Sequence, residues 1–182
     1  MTKKIFYILP SYNEALNLNA LLSKFKRFFK NKSINVLIVI VDDGSIDNSI
    51  EIIKAFVKNN STKNLNIKII KHGKNLGLGR ALKTGFNYCF SKGNDKDVLI
   101  TMDTDNSHTI SLSYQMAEKI LLKKIDIVIA SRYQLHSKIK GLNPSRKILS
   151  FGAAILFKLF FPIKNIKDYT SGFRAFRLGK IR

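Results

Sequence analysis

Short apolar runs alternate along this chain with longer stretches whose apolar residues recur every three or four positions. Lys4–Leu9, Val36–Val41, Ile67–Ile70, Val98–Met102 and Ile127–Ala130 are the short runs, rich in Ile and Val, and they predict strands. Val36–Val41 is unbroken and largely β-branched, as suits a strand buried on both faces. Between the runs, Ala15–Lys30 carries Leu18, Leu21, Leu22, Phe25 and Phe29 at helical spacing. Ile46–Lys58, Gly79–Phe90 and Leu112–Leu122 follow as further helices. Ser11-Tyr-Asn-Glu14 has the form of a capping box ahead of the first helix. Strands alternating with helices imply crossover connections and an α/β fold, a mostly parallel sheet with helices on both faces.

The regularity ends at Ala130. Ser131–Ser145 is polar and basic and predicts a loop, Arg146–Phe161 predicts a helix apolar around most of its circumference, and Asp168–Arg177 reads as a short strand-like piece. A length of 182 residues suits one domain spanning 1–182, within which 131–167 forms a loop and an apolar helix. Neither an internal repeat nor a flexible linker interrupts it. The longest apolar stretch, Ile148–Ile163, is broken by Lys158 and falls short of the roughly 20 residues that span a bilayer. The run Ile5–Leu9 after two lysines is too short for a secretion signal and stops at Pro10. Cys89, the single cysteine, has no partner for an internal disulfide and fits a reducing compartment.

Charge changes the picture. Lys and Arg number 32 against 12 Asp and Glu, a net charge of +20. Such an excess attracts phosphorylated substrates, anionic membrane surfaces or nucleic acid, although a coding bias toward lysine accounts for part of it. The basic residues are spread along the chain, with no interleaved aromatic platform for stacking bases, so no nucleic acid partner is expected.

In an open parallel sheet, ligands bind beyond the carboxyl ends of the strands. Four segments stand there: Pro10-Ser-Tyr-Asn-Glu14, Asp42-Asp-Gly-Ser45, Asn75-Leu-Gly-Leu-Gly79 and Asp103-Thr-Asp105. Asp103 and Asp105 flank one residue, a spacing that can turn two carboxylates into a cleft as ligands for a hard divalent cation. Taken alone, the triplet reads more readily as a solvated turn. Asp42 or Asp43 can accept a hydrogen bond from a ribose or a base, while Gly44 permits positive φ and Ser45 or Asp47 can cap a helix. Asn75–Gly79 matches a dinucleotide fingerprint poorly, because Leu82 occupies the third glycine position. Its glycines suit either a turn into a helix or a close backbone approach to a ligand.

The order and spacing of the whole set are more telling. Leu9-Pro-Ser-Tyr-Asn-Glu14, Val41-Asp-Asp-Gly-Ser45, Asn75–Gly79, Asp103-Thr-Asp105, Ser131-Arg-Tyr133 and Ser171-Gly-Phe-Arg174 together resemble glycosyltransferase family 2. Within it the chain is most similar to the dolichyl- and polyprenyl-phosphate sugar transferases, such as dolichol-phosphate mannosyltransferases. The resemblance runs from about Lys4 to Phe176. It implies a single glycosyltransferase-A (Rossmann-like) domain and a nucleotide-sugar donor. It implies that Pro10, Tyr12 and Glu14 surround the base and ribose, that Asp42 or Asp43 touches the nucleoside, and that Asp103 and Asp105 carry Mg²⁺ or Mn²⁺. Asp105, Arg132 and Arg146 would act in catalysis, the arginines facing phosphate groups, and Ser171, Gly172 and Arg174 would border the acceptor. Two departures stand out. Ser107 replaces a glutamine of the relatives, with His108 retained beside it, and the chain ends sooner than such enzymes do, as a fragment or a natural short form would.

The expected reaction is an inverting transfer of a sugar to a polyprenyl or dolichyl phosphate, by a protein peripheral to the cytoplasmic face of a membrane. A lipid phosphate is already anionic and needs no general base, and the acceptor region offers Asp168 as its only acidic residue. The apolar helix, with Arg132, Lys138, Lys140, Arg146 and Lys147 nearby, would suit an anionic membrane interface or ordinary core. The alternatives are a family member acting on the hydroxyl of a glycan acceptor in cell-surface polysaccharide synthesis, and a nucleotide-binding module impaired in catalysis. GDP-mannose, UDP-glucose and UDP-N-acetylglucosamine all stay open as donors.

Overall fold

The computed structural model describes residues 3–60, 64–123, 125–131, 160, 166 and 168–182. The elements follow the predicted alternation: β1 (Lys4–Ser11), α1 (Ala15–Phe29), β2 (Asn35–Asp42), α2 (Ser49–Asn59), β3 (Leu65–Lys71), α3 (Leu78–Lys92), β4 (Val98–Thr101), α4 (Ile110–Leu122), β5 (Ile127–Ile129) and β6 (Arg174–Arg177). A 3-10 turn, Leu178–Lys180, follows β6. The strands form one sheet in the order β3-β2-β1-β4-β6-β5. β1 pairs in parallel with β2, from Lys4 opposite Asn35 to Ser11 opposite Asp42, and in parallel with β4. β2 pairs in parallel with β3. β6 runs antiparallel to both of its neighbours, β4 and β5.

The mostly parallel α/β sheet is thus present, with one reversed strand that the alternation did not announce. Of Asp168–Arg177 only the last four residues are strand, and the remainder is turn and loop. A four-residue strand carries no directional signal of its own. Its sense is set by its neighbours, between which it closes hydrogen bonds to both sides.

Side chains of successive strand residues point to opposite faces, and the core divides accordingly. Ile5, Tyr7 and Leu9 of β1, with Val36, Ile38 and Ile40 of β2, pack with α1, α2 and α4. Phe6 and Ile8, with Val39, Val41 and Leu99, pack with Ala81 and Cys89 of α3. Full burial of each such side chain stabilises by roughly 1.5–3 kcal/mol, so this double-sided packing fixes the register of β1 and β2. Tyr7 lies edge-on to Phe25 at 4.8 Å, and its hydroxyl meets Ser113 Oγ at 2.9 Å. That bond satisfies the one polar atom of a fully buried ring, while burial drives the phenol pKa well up.

Several boundaries differ from the periodicity. α2 starts at Ser49 rather than Ile46, because Ser45 and Asp47 are engaged with the loop ahead of α1. The capping box read from Ser11 and Glu14 does not form: Glu14 is the N-cap of α1 and makes no side-chain cap bond. α4 starts at Ile110, where the Thr109 side chain accepts from the Leu112 N–H. The predicted loop Ser131–Ser145, apart from Ser131, and the predicted helix Arg146–Phe161, apart from Phe160, lie outside the described residues, and so do Arg132 and Arg146. Phe160 is exposed. Among the described residues no helix is long and apolar enough to cross a membrane.

Candidate functional site

β1, β2, β3 and β4 are mutually parallel, so their carboxyl ends gather at one edge of the sheet. A cleft of about 370 Å³ opens there, lined by Pro10, Ser11, Tyr12, Glu14, Asp43, Asn75, Gly77, Leu78, Ala81, Asp103, Thr104 and Asp105. The four segments marked by the strand-end rule therefore meet in one place, although they span almost a hundred residues of sequence.

Asp42 and Asp43 separate here. Asp42 ends β2 on the face of Ile38 and Ile40, is fully buried, and accepts from the Ser45 N–H through Oδ2. Its Oδ1 and the hydroxyl of Ser11, its register partner on β1, are buried without a hydrogen-bond partner among the described residues. Asp43 points the other way and lines the cleft. Its Oδ1 accepts from Leu76 N at 3.0 Å and lies 2.6 Å from His72 Nδ1, while its Oδ2 accepts from Gly77 N at 2.7 Å. Burial works against the charged carboxylate, but the bonds from His72, Leu76 and Gly77 outweigh it and hold the carboxyl below its ordinary value of 3.8. Gly77 has φ +88°, which lets its N–H turn toward Asp43 where a side chain would be strained. The glycines of Asn75–Gly79 thus serve a turn whose backbone is bound to an acid, and Gly77 is the N-cap of α3.

A second network joins the loops after β1 and β2. Asn13 N donates to Ser45 Oγ, Glu14 N to Ser49 Oγ, and Ala15 N to Asp47 Oδ2. Asn13 Oδ1 accepts in return from Ile46 N. The free N–H groups at the start of α1 are therefore satisfied from a loop some thirty residues away. Gly44, at φ +76°, lies against the β3–α3 loop so closely that a Cβ would meet Lys74 C at 2.4 Å. The three loops form one interlocked wall.

Asp103-Thr-Asp105 forms the facing wall. Thr104 is buried and donates to Pro10 O at 3.1 Å, which leaves Asp103 and Asp105 on the cleft side. Asn106 adopts φ +62° and donates to Asn17 O, and Ser107 N donates to Asp105 Oδ1 at 2.9 Å. Ser107 thus meets Asp105 through its backbone. His108 stacks on Phe173 with ring centroids 4.3 Å apart and sets Nε2 3.3 Å from Asp103 Oδ2. Among the described residues no three His, Cys, Asp or Glu side chains converge to hold a metal by themselves. Two half-open carboxylates offer hard oxygen donors that suit Mg²⁺ or Mn²⁺ when a diphosphate and water complete the shell. On that condition the donor set fits.

Ser171, Gly172 and Arg174 are not among the residues that line this cleft. Ser171 Oγ donates to Ala130 O, and Gly172 O accepts from Thr101 Oγ1 at 2.7 Å. Arg174 donates from Nε to Ser171 O and from Nη2 to Tyr169 O, both at 2.6 Å. Asp168 is buried, and its Oδ1 accepts from Thr170 N, Thr170 Oγ1 and Ser171 N. These side chains shape the loop they belong to.

Two participants escaped the sequence reading, His72 and Thr104. His72 stands directly after β3, between that strand and the glycines of Asn75–Gly79. Thr104 is the middle residue of the acidic triplet, in the bend after β4, and its bond to Pro10 O holds it inward.

The fold has counterparts among known proteins. The family model described as Glycosyl transferase family 2 matches residues 7–181. The dolichol-phosphate mannosyltransferase of Pyrococcus furiosus is 33% identical over 96% of this chain and 46% of its own length. The undecaprenyl-phosphate mannosyltransferase of Micrococcus luteus is 26% identical over 98% of this chain and 68% of its own. Between about half and two thirds of each such relative is therefore spanned. Glucosyl-3-phosphoglycerate synthase of Mycobacterium tuberculosis, solved with Mn²⁺, uridine diphosphate and glucosyl-3-phosphoglycerate, superposes with a TM-score of 0.66 at 16% identity. That likeness covers 97% of this chain and 57% of that one, and speaks for a shared glycosyltransferase-A fold. A family match over nearly the whole chain agrees with a sheet order and a strand-end cleft read from its own residues: the chain belongs to glycosyl transferase family 2.

Proposed function

We propose that this protein transfers a hexose from a nucleotide-sugar donor to a polyprenyl or dolichyl phosphate, with inversion at the anomeric carbon. The observation that carries the donor half is the meeting of Asp43, Asp103 and Asp105 with Pro10, Tyr12 and Glu14 in a single cleft. Asp43 accepts from the nucleoside, Tyr12 and Pro10 give its ring an apolar surface, and Asp103 and Asp105 face the diphosphate. Those two aspartates would hold the Mg²⁺ or Mn²⁺ ion, which when bound offsets charge on the leaving nucleoside diphosphate. For Arg132 and Arg146, which lie outside the described residues, the proposed role is to offset phosphate charge of the donor or acceptor.

The acceptor is supported by what Asp168 does. It is the only acidic residue after Asp126, and it is buried within its own turn with three bonds to Thr170 and Ser171. A sugar hydroxyl needs a base to take its proton, whereas a phosphate oxygen attacks as an anion. In the proposed step that oxygen bonds to the anomeric carbon as the bond to the nucleoside diphosphate breaks, and no proton moves. The names of both mannosyltransferase relatives point to the same acceptor class. Action on a lipid phosphate places the protein peripherally at the cytoplasmic face of a membrane.

The test is a transfer assay with GDP-mannose, UDP-glucose and UDP-N-acetylglucosamine, each with Mn²⁺, offered a short polyprenyl phosphate or a glycan hydroxyl. Transfer to the phosphate, lost in Asp105→Ala and without Mn²⁺, is expected. Transfer to the hydroxyl alone would assign the chain to the polysaccharide-building alternative. Nucleotide binding without transfer to either would leave a binding module.

A further inference from the structure

We infer that His72 is a positioning residue of the nucleotide subsite, fixing the Asp43 carboxylate in the orientation that receives the donor's nucleoside. The inference rests on the reading of the cleft as a nucleotide-sugar site.

His72 extends the sheet one residue past β3, its backbone N–H donating to Asp42 O at 2.8 Å. Its ring is largely buried, with Nδ1 2.6 Å from Asp43 Oδ1 and Nε2 2.9 Å from Thr84 Oγ1 on α3. An ionised carboxylate only accepts, so Nδ1 carries the proton that bonds Asp43. Thr84 can donate to Nε2 of a neutral ring or accept from Nε2–H of a charged one. The ring is therefore held at both nitrogens in either state, braced between the end of β2 and helix α3.

Asp43 shows why that brace matters. A carboxylate has about four acceptor positions. His72 and Leu76 take both on Oδ1, and Gly77 takes one on Oδ2. One position on Oδ2 is left for a single donor in the cleft, an N–H of a base or a ribose hydroxyl. Without His72 the carboxylate loses its shortest bond and the fixed orientation of that last position. The Leu76 and Gly77 amides, which hold the cleft rim, depend on the same carboxylate. The loss falls on nucleoside binding and spares the diphosphate end at Asp103 and Asp105.

Calorimetric titration of the full chain with UDP and GDP, each with Mn²⁺, tests this, with inorganic pyrophosphate and Mn²⁺ as a probe of the diphosphate end. His72→Ala should weaken the preferred nucleotide about tenfold or more, as loss of a charge-assisted bond implies, and leave pyrophosphate binding unchanged. His72→Asn keeps an N–H donor near the place of Nδ1 and should recover most of the affinity. His72→Gln reaches toward Thr84 instead and should not. Should His72→Ala fail to fold, the Asn and Gln variants decide the question between them. Unchanged nucleotide affinity in His72→Ala, or rescue by Gln in place of Asn, would overturn the inference. Wild-type chain that binds pyrophosphate but neither nucleotide would overturn the reading of the cleft along with it.

Discussion

Asp42 and Asp43 are neighbours in sequence and opposites in the fold. One is sealed beneath the helices on the α1 face, and the other takes three protein donors at the mouth of the cleft, with only one acceptor position left over. The sequence left open which of the two meets a nucleoside. Strand parity decides it, since Ile38, Ile40 and Asp42 share the α1 face and Val39, Val41 and Asp43 the α3 face. Parity was available in the sequence only to a reader who already knew which helices cover which face. Asp43→Asn should therefore weaken nucleotide binding about tenfold, while Asp42→Asn leaves it within about twofold. Equal losses in a fluorescence titration would contradict the assignment. The Asp43 carboxyl is held below its ordinary value of 3.8, so the unfolded chain takes up its proton first as the solution is acidified. Its contribution to stability is whole above pH 3.8 and drains away as pH falls toward the folded value. Urea midpoints measured down the acid range should drop less steeply in Asp43→Asn than in the wild type.

At the scale of elements, periodicity located the strands and helices well and their ends less well. The interiors of β1, β2 and α1 declare themselves because burial imposes periods of two and 3.6 on many residues at once. Helix starts depend on single side chains that need not be local. Ser11–Glu14 looks like a capping box, yet the donors ahead of α1 bond to Ser45, Asp47 and Ser49. β6 was legible as a strand-like piece, but its reversal was not, since four residues cannot encode direction. Asp47 is the residue on which two helices lean: Oδ2 accepts from Ala15 N of α1, and Oδ1 from Ser49 N of α2. Its carboxyl is held low because these bonds outweigh its partial burial. Asp47→Ala should cost about 1–2 kcal/mol, the upper part of the range for a single cap. Asp47→Asn should recover part of that. A change below about 0.3 kcal/mol in denaturant unfolding would show that water replaces both bonds freely.

At the scale of the molecule, charge and fold point the same way. The net charge of +20 is unevenly distributed, because Asp168 is the only acid after Asp126 and it lies buried. The sequence from Ile127 onward accordingly carries a nearly uncompensated excess of Lys and Arg, of which Arg174 and Arg177 are tied down locally. That segment also holds the predicted acceptor side. A field of this kind raises the local concentration of an anionic acceptor and of the surface in which it sits, and it weakens as salt shortens the screening length from about 10 Å at 0.1 M to about 3 Å at 1 M. Flotation should therefore recover the chain with phosphatidylglycerol vesicles at low salt, lose it near 1 M salt, and recover little with zwitterionic phosphatidylcholine. Equal recovery with both lipids would mean that apolar insertion governs membrane contact and charge does not. Absence of recovery with either would remove the membrane surface as a partner, and the acceptor phosphate would then have to reach the cleft in a form free of the bilayer.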